Sequence, residues 1–212
     1  MSELISIFLV SLSAIFFVVD PIGLVPIFLA ITSDCTPERR NRTALRACVT
    51  GGALILFFAL FGGVIFKVFA VSLGAFRVAG GLLLLLTALD MLQARPSTTR
   101  TSAQETLESQ QKEDVAIVPL AIPLLAGPGA IATAMVSMSQ GETVLSAVPV
   151  LLAIVLTFVA TYFILRGASL VQRVLKQTGV ALLERVMGLI LAAIAVQFIA
   201  DGGRALLFPE GS

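Results

Sequence analysis

Charged residues are missing from long stretches of this chain, and those stretches set its plan. Residues 4–33 carry one charge, Asp20; residues 47–66 carry none; between Lys67 and Arg95 only Arg77 and Asp90 interrupt an apolar run. Residues 115–141 and 143–165 are again uncharged, and a last apolar run over 186–200 resumes after Asp201 as Ala205, Leu206, Leu207 and Phe208. Crossing about 30 Å of hydrocarbon takes roughly 20 mainly apolar helical residues. The pattern therefore predicts six transmembrane helices. The first is expected to be a span and not a cleaved leader, because Glu3 stands where a basic segment belongs and the apolar run continues past Asp20.

From Gln93 to Asp114 the chain reads QARPSTTRTSAQETLESQQKED, with almost nothing to bury, which predicts a flexible polar linker. It divides the sequence into residues 1–92 and 115–212, with three spans in each. An odd number of crossings per half means that the second half enters the membrane from the opposite face, so a repeat between them is inverted. Two landmarks agree on one: Pro21 and Pro128 lie 107 residues apart, and Arg77-Val78-Ala79-Gly80 precedes Arg185-Val186-Met187-Gly188 by 108. The expected fold is an all-α membrane protein of six transmembrane helices arranged as two inverted three-helix repeats, a plan common among secondary transporters. Alternating sides for six spans put eleven of the 14 basic residues on the side of the linker and three, Lys67, Arg77 and Arg204, on the side of the termini. The positive-inside rule then predicts a cytoplasmic linker and both termini outside.

Composition removes other classes. With 58% hydrophobic residues, 13% charged residues and a mean hydropathy of +1.02, the chain is not a soluble enzyme. Its net charge of +1 is scattered, which leaves no electrostatic case for nucleic acid. There are 0 histidines, so imidazole catalysis and imidazole metal sites are unavailable. Cys35 and Cys48 form neither a CxxC nor a zinc pattern and read as reduced thiols. No metal and no cofactor is expected.

Helices 1 and 4 are predicted to be broken near the membrane midplane. Asp20-Pro21-Ile22-Gly23 and Gly127-Pro128-Gly129-Ala130 lie in the middle of runs longer than a straight crossing needs. Proline lacks an N–H and pushes the preceding residue out of the α region, so each reads as the end of one half-helix and the start of the next, with Asp20 as an N-cap. Pro26, Pro119 and Pro123 free further carbonyls nearby. Irregular backbone at this depth is tolerated only when buried in protein or lining a cavity. Half-helix starts offer N–H groups and a positive dipole end to a carboxylate; the alternative is that Asp20 caps its own half-helix and the prolines serve packing. An ionised Asp at this depth costs at least ~2.5 kcal/mol, which favours a use for the charge. Thr133 and Ser137 either offer hydroxyls to a ligand or bond back to carbonyls four residues earlier. Gln197 either lines a cavity or makes a helix–helix hydrogen bond, and the Gly51-Gly52, Gly62-Gly63 and Gly80-Gly81 pairs let helix backbones approach.

Three segments, FFVVDPIGLVPIFLAIT (16–32), FRVAGGLLLLLTALDML (76–92) and DVAIVPLAIPLLAGPGAIAT (114–133), resemble the MarC family. The resemblance covers nearly the whole chain and shows no departure in these motifs. It implies a six-helix bacterial inner-membrane protein related to SnatA-type neutral amino acid transporters, with glycine and alanine as substrates and a coupled proton as one candidate drive. Carried over by position, the matching residues are Asp20, Pro21, Gly23, Pro26, Gly127, Pro128 and Gly129; Thr133 and Gln197 complete the candidate substrate-binding set. The expected activity is secondary transport, export or exchange, of a small neutral amino acid by alternating access, without catalysis. The alternatives are a passive channel or scaffold subunit and, because Asp20 and Asp90 lie within spans, an intramembrane aspartyl protease, for which no GxGD is present. Partners are a neutral amino acid and membrane lipid, not nucleic acid.

Overall fold

The computed structural model describes residues 2–93, 116–139 and 144–208, and every element among them is helical. In chain order these are α1 (Ser2–Val19), α2 (Leu24–Ile31), α3 (Pro37–Val68), α4 (Leu73–Leu92), a π-helical segment (Ala116–Leu125), α5 (Pro128–Ser139), α6 (Val144–Arg166) and α7 (Ala168–Leu207). The polar linker expected at 93–114 lies, apart from Gln93, outside the described residues.

Local chemistry accounts for the boundaries. Thr36 caps α3 by accepting the Arg39 N–H at 3.3 Å, with Pro37 at the first helical position and Glu38 in the first turn. Ser72 caps α4 in the same way through the Ala75 N–H at 3.1 Å. At 32 residues α3 is about 48 Å long, so its charged first turns extend beyond the hydrocarbon. It begins well before the apolar run at 47–66, because Thr-Pro-Glu starts a helix whether or not lipid surrounds it.

Among the described residues four helices are long and apolar enough to cross a membrane, and the pair α1 and α2, bent by 46° at its break, counts as a fifth if the two cross as one span. The fourth expected span consists of two pieces, the ten-residue π segment and the 12-residue α5. Its first limb was expected to be α-helical. Pro119 and Pro123 supply no N–H to this segment, which winds with bonds five residues back, as from the Ala126 N–H to the Ala121 carbonyl at 2.9 Å. A further break, not expected, falls at Lys176 (φ 54°, ψ 179°) inside α7.

Packing runs mainly between the two halves of the chain. α1 lies on α6, while the π segment and α5 lie on α3; α1 and α2 touch α7, while α5 touches α4; α3 also packs on α6, α4 on α7, α1 on α5 and α2 on α6, and within the second half α6 touches α5 and α7. The α4 and α7 helices cross antiparallel at glycines. A Cβ on Gly202 would stand 2.6 Å from the Gly74 carbonyl, one on Gly81 2.8 Å from that of Ala195, and one on Gly188 2.9 Å from Met91. Gly51 and Gly52 similarly seat Phe158, and Gly62 seats Met135, whereas Gly63 faces open space. Ile15, Leu24, Phe28, Ile55, Leu84, Leu125, Ile154 and Leu191 form the sealed interior. Outside it, Leu9, Val49, Phe57, Leu60, Leu152, Phe163 and Leu189 are exposed, an apolar exterior suited to lipid.

Candidate functional site at the two helix breaks

The first break is buried. α1 ends at Val19, and Asp20, 2% exposed, takes φ 51°, a left-handed conformation that Asp and Asn tolerate better than other side chains. Its Oδ1 accepts the Gly23 N–H at 3.1 Å, and its carbonyl accepts the Leu24 N–H at 3.2 Å. The N-cap of α2 is Gly23, with no side-chain cap bond, and not Asp20 as expected: Asp20 instead holds a turn over Pro21 to Gly23, and α2 starts at Leu24, not at Pro21. Gly23 leaves room for the Asp20 carboxylate, which a Cβ there would overlap. Pro21 is buried with it, and Pro26 lies half-buried inside α2.

At the second break Gly127 precedes Pro128, the first residue of α5, and the Ile131 N–H closes the first turn on the Gly127 carbonyl at 3.1 Å. The N–H groups of Gly129 and Ala130 belong to that turn, where no intrahelical acceptor exists. Gly127, Pro128, Gly129 and Ala130 line a cavity of about 30 Å³ together with Val18, Leu83, Thr87 and Leu124. This is room for roughly one or two water molecules. Of the first limb only Val18, two residues before Asp20, reaches this cavity; it stands 3.6 Å from where a Gly129 Cβ would be, and none of Asp20 to Gly23 lines it. Leu84 of α4 packs on the second break, 2.8 Å from the same position, and Gly80 packs as closely on Ala132.

Of the residues expected from the sequence, Gly127, Pro128 and Gly129 line this cavity; Asp20, Pro21 and Gly23 build the neighbouring break. Thr133 is fully buried, but its hydroxyl donates to the Gly129 carbonyl at 2.8 Å, the second of the two expected uses. Gln197 is not brought to the breaks. It lies exposed on α7, donating to Asp201 Oδ1 at 2.9 Å. Sequence reasoning missed Thr87, whose hydroxyl bonds the Leu83 carbonyl at 3.0 Å at the cavity wall. The available signal was a single polar side chain directly after five leucines, 82–86. Among the described residues no three His, Cys, Asp or Glu gather within reach of one metal ion.

Long apolar-faced helices and a twice-broken backbone, buried at the first break and partly exposed at Gly127 to Gly129, define a multi-pass integral membrane protein. The profile described as MarC family integral membrane protein matches residues 5–207, and the chain belongs to that family. It is 40% identical over 200 residues to a UPF0056 membrane protein of Methanocaldococcus jannaschii, covering 94% of this chain and 97% of that one. It is also 36% identical over 196 residues to the UPF0056 membrane protein YhcE of Escherichia coli, covering 92% and 90%, and 35% identical over 198 residues to YvbG of Bacillus subtilis, covering 92% and 93%. No solved structure matches the chain.

Proposed function

We propose that this protein is a secondary transporter, an exporter or exchanger of small neutral amino acids such as glycine and alanine, and not an enzyme. In this reading residues 1–92 and 115–212 are two inverted three-helix halves of a six-span protein of the bacterial inner membrane. The linker is cytoplasmic, both termini are outside, and the halves rock about the crossed breaks. The observation that carries it is the shared cavity: Val18 beside the first break and Gly129 beside the second wall one small space. Reciprocal packing of the halves supports the inverted arrangement.

The breaks differ in a way that suits a zwitterion. At the first, the chain supplies its own carboxylate, Asp20, to an N–H near a half-helix start. The residue 107 positions on is Gly127, which has none. A substrate carboxylate takes that role at the first turn of α5, where Gly129 allows close approach, and its ammonium faces Asp20 or carbonyls freed by the prolines. The apolar walls and small volume favour a short side chain. At about 30 Å³ the cavity is too small for an amino acid, and admission requires α4 to draw away from α5, where Leu84 and Gly80 pack on Gly129 and Ala132.

Counterflow in proteoliposomes loaded in turn with glycine, alanine, leucine and an antibiotic tests the reading. Saturable exchange of glycine and alanine alone is expected. Equal passage of all four without saturation identifies a passive channel, and no flux of any identifies a scaffold. Impermeant labelling of single cysteines at Ser2 and Thr101, in a background lacking Cys35 and Cys48, tests orientation; in intact cells only the position at Ser2 is expected to react.

A further inference from the structure

The break at Lys176 divides α7 into two helices of different character. The Gly167 carbonyl, just past the end of α6, accepts the Leu170 and Val171 N–H groups at 2.8 and 3.0 Å and opens a helix over residues 168–175. At Lys176 (φ 54°, ψ 179°) that helix stops, and the apolar length Thr178–Leu207 begins two residues on. The turn is tight: a Cβ on Gly179 would stand 3.2 Å from the Leu175 Cβ, whereas residues four apart on a continuous helix hold these atoms about 5 to 6 Å apart. Arg40 fixes the other end, donating to Ser169 Oγ at 3.3 Å and to the Thr32 carbonyl at 3.1 Å. The short helix is thus held between two lengths able to cross a membrane, Ala147–Arg166 and Thr178–Leu207, and starts where the uncharged run 143–165 ends.

Its sides differ. Ala168 is buried, and Val171 and Leu175 are half-buried. Leu170 and Val174, one turn apart, are 63% and 70% exposed, and Ser169, Gln172 and Arg173 are exposed as well. At 3.6 residues per turn Leu170 and Val174 form an apolar strip beside the buried face, and Ser169, Gln172 and Arg173 fill the remaining arc. Water on all sides would leave the strip solvated, and hydrocarbon on all sides would desolvate Gln172 and Arg173. A helix lying along the boundary between the two satisfies both. The charge agrees with such a place. Arg166, Arg173 and Lys176 are exposed, none of these side chains is paired among the described residues, and residues 166–183 contain no Asp or Glu.

We propose that residues 168–175 lie in the membrane interface as an amphipathic helix that binds anionic phospholipid: Leu170 and Val174 enter the acyl region, and Arg166, Arg173 and Lys176 hold headgroup phosphates. This surface is separate from the breaks and independent of what the protein transports.

The chain contains no Trp, so a single introduced indole reports its own surroundings. Full-length Leu170→Trp, Val174→Trp and Gln172→Trp are reconstituted into vesicles of phosphatidylcholine and phosphatidylglycerol. Brominated acyl chains are expected to quench the indole at 170 and at 174, and aqueous acrylamide the one at 172. Quenching at 174 by acrylamide and not by brominated lipid overturns the proposal. So does quenching there by neither, which means that another segment covers the strip. Native mass spectrometry in non-ionic detergent reads the charge: phosphatidylglycerol is expected to bind more tightly than phosphatidylcholine, and Arg173→Gln with Lys176→Gln to lower that affinity roughly 25-fold, about fivefold for each charge. Helix content unaltered by circular dichroism separates this loss from unfolding. Equal affinity for the two lipids, or undiminished affinity in the double variant, also overturns the proposal.

Discussion

The carboxylate of Asp20 occupies the space that any side chain at position 23 would need. Gly23 donates its N–H to Oδ1 at 3.1 Å, and a Cβ added to it would overlap Oδ2. Backbone freedom is not the issue, since Gly23 sits at φ −64°, which any residue adopts. Gly23→Ala should therefore cost about 1 to 3 kcal/mol of stability through overpacking. The same change in an Asp20→Ala background should cost almost nothing. A double-mutant cycle by thermal or denaturant unfolding in detergent measures the coupling, and additive losses would show that the two do not compete for space.

Asp20→Asn separates the turn from the charge. Asn accepts the same N–H bond as Asp and tolerates the left-handed φ of 51°. Stability is expected to stay within about 1 kcal/mol of wild type, with alanine counterflow falling about tenfold or more. Undiminished counterflow at full expression would reduce Asp20 to holding the turn.

The wall of the small cavity predicts a size filter. A methyl group on Gly129 meets Leu84 Cδ2 at 2.8 Å, a flexible side-chain end that can give. Gly129→Ala should therefore fold, pass glycine and discriminate against alanine. Gly129→Leu fills the space and stops both, and adding Leu84→Ala restores glycine in part by returning volume. Normal alanine counterflow by Gly129→Leu would place the substrate elsewhere.

Two glycines that look alike in sequence should respond in opposite directions. At Gly81 a Cβ meets the Ala195 carbonyl at 2.8 Å and the Ile199 nitrogen at 3.1 Å, backbone atoms that cannot step aside; at Gly63 it meets nothing within 4 Å. Gly81→Ala should destabilise by about 1 to 3 kcal/mol, and Gly63→Ala should be neutral or stabilise by up to about 1 kcal/mol through helix propensity. Unfolding of both variants in the same detergent checks the order. Its reversal would mean that α4 and α7 do not cross as described.

What the sequence made legible depended on how local the controlling physics is. Pro21 and Pro128 act on their own backbone, so both breaks could be located from composition alone. The start of α2 could not, because the turn over Pro21 to Gly23 depends on Asp20 folding back onto Gly23. Proline spacing at 119 and 123 announces missing donors and leaves open how the chain rewinds, here as a π-helix. The break at Lys176 has no proline and no glycine at that position to announce it. Hydropathy marks lipid and not helix length, so the charged first turns of α3 were not counted as helix. The cavity was half visible: its glycines and proline stand in a motif, whereas Val18, Leu83 and Leu124 are ordinary apolar residues selected only by tertiary contact. Gln197 shows the reverse error, a polar residue in a span whose partner, Asp201, lies one turn away on its own helix.

The exchange of contacts between the two ends of the chain bears on how the protein is made. α1 to α4 scarcely touch one another, and their main partners are α5, α6, α7 and the π segment. During synthesis the early helices therefore enter the bilayer with their glycine seats vacant and with Asp20 and the Pro21 turn unshielded by neighbouring protein. With so few contacts among the early helices, assembly is expected to be completed only when the last helix arrives, lipid covering until then what the second half will bury.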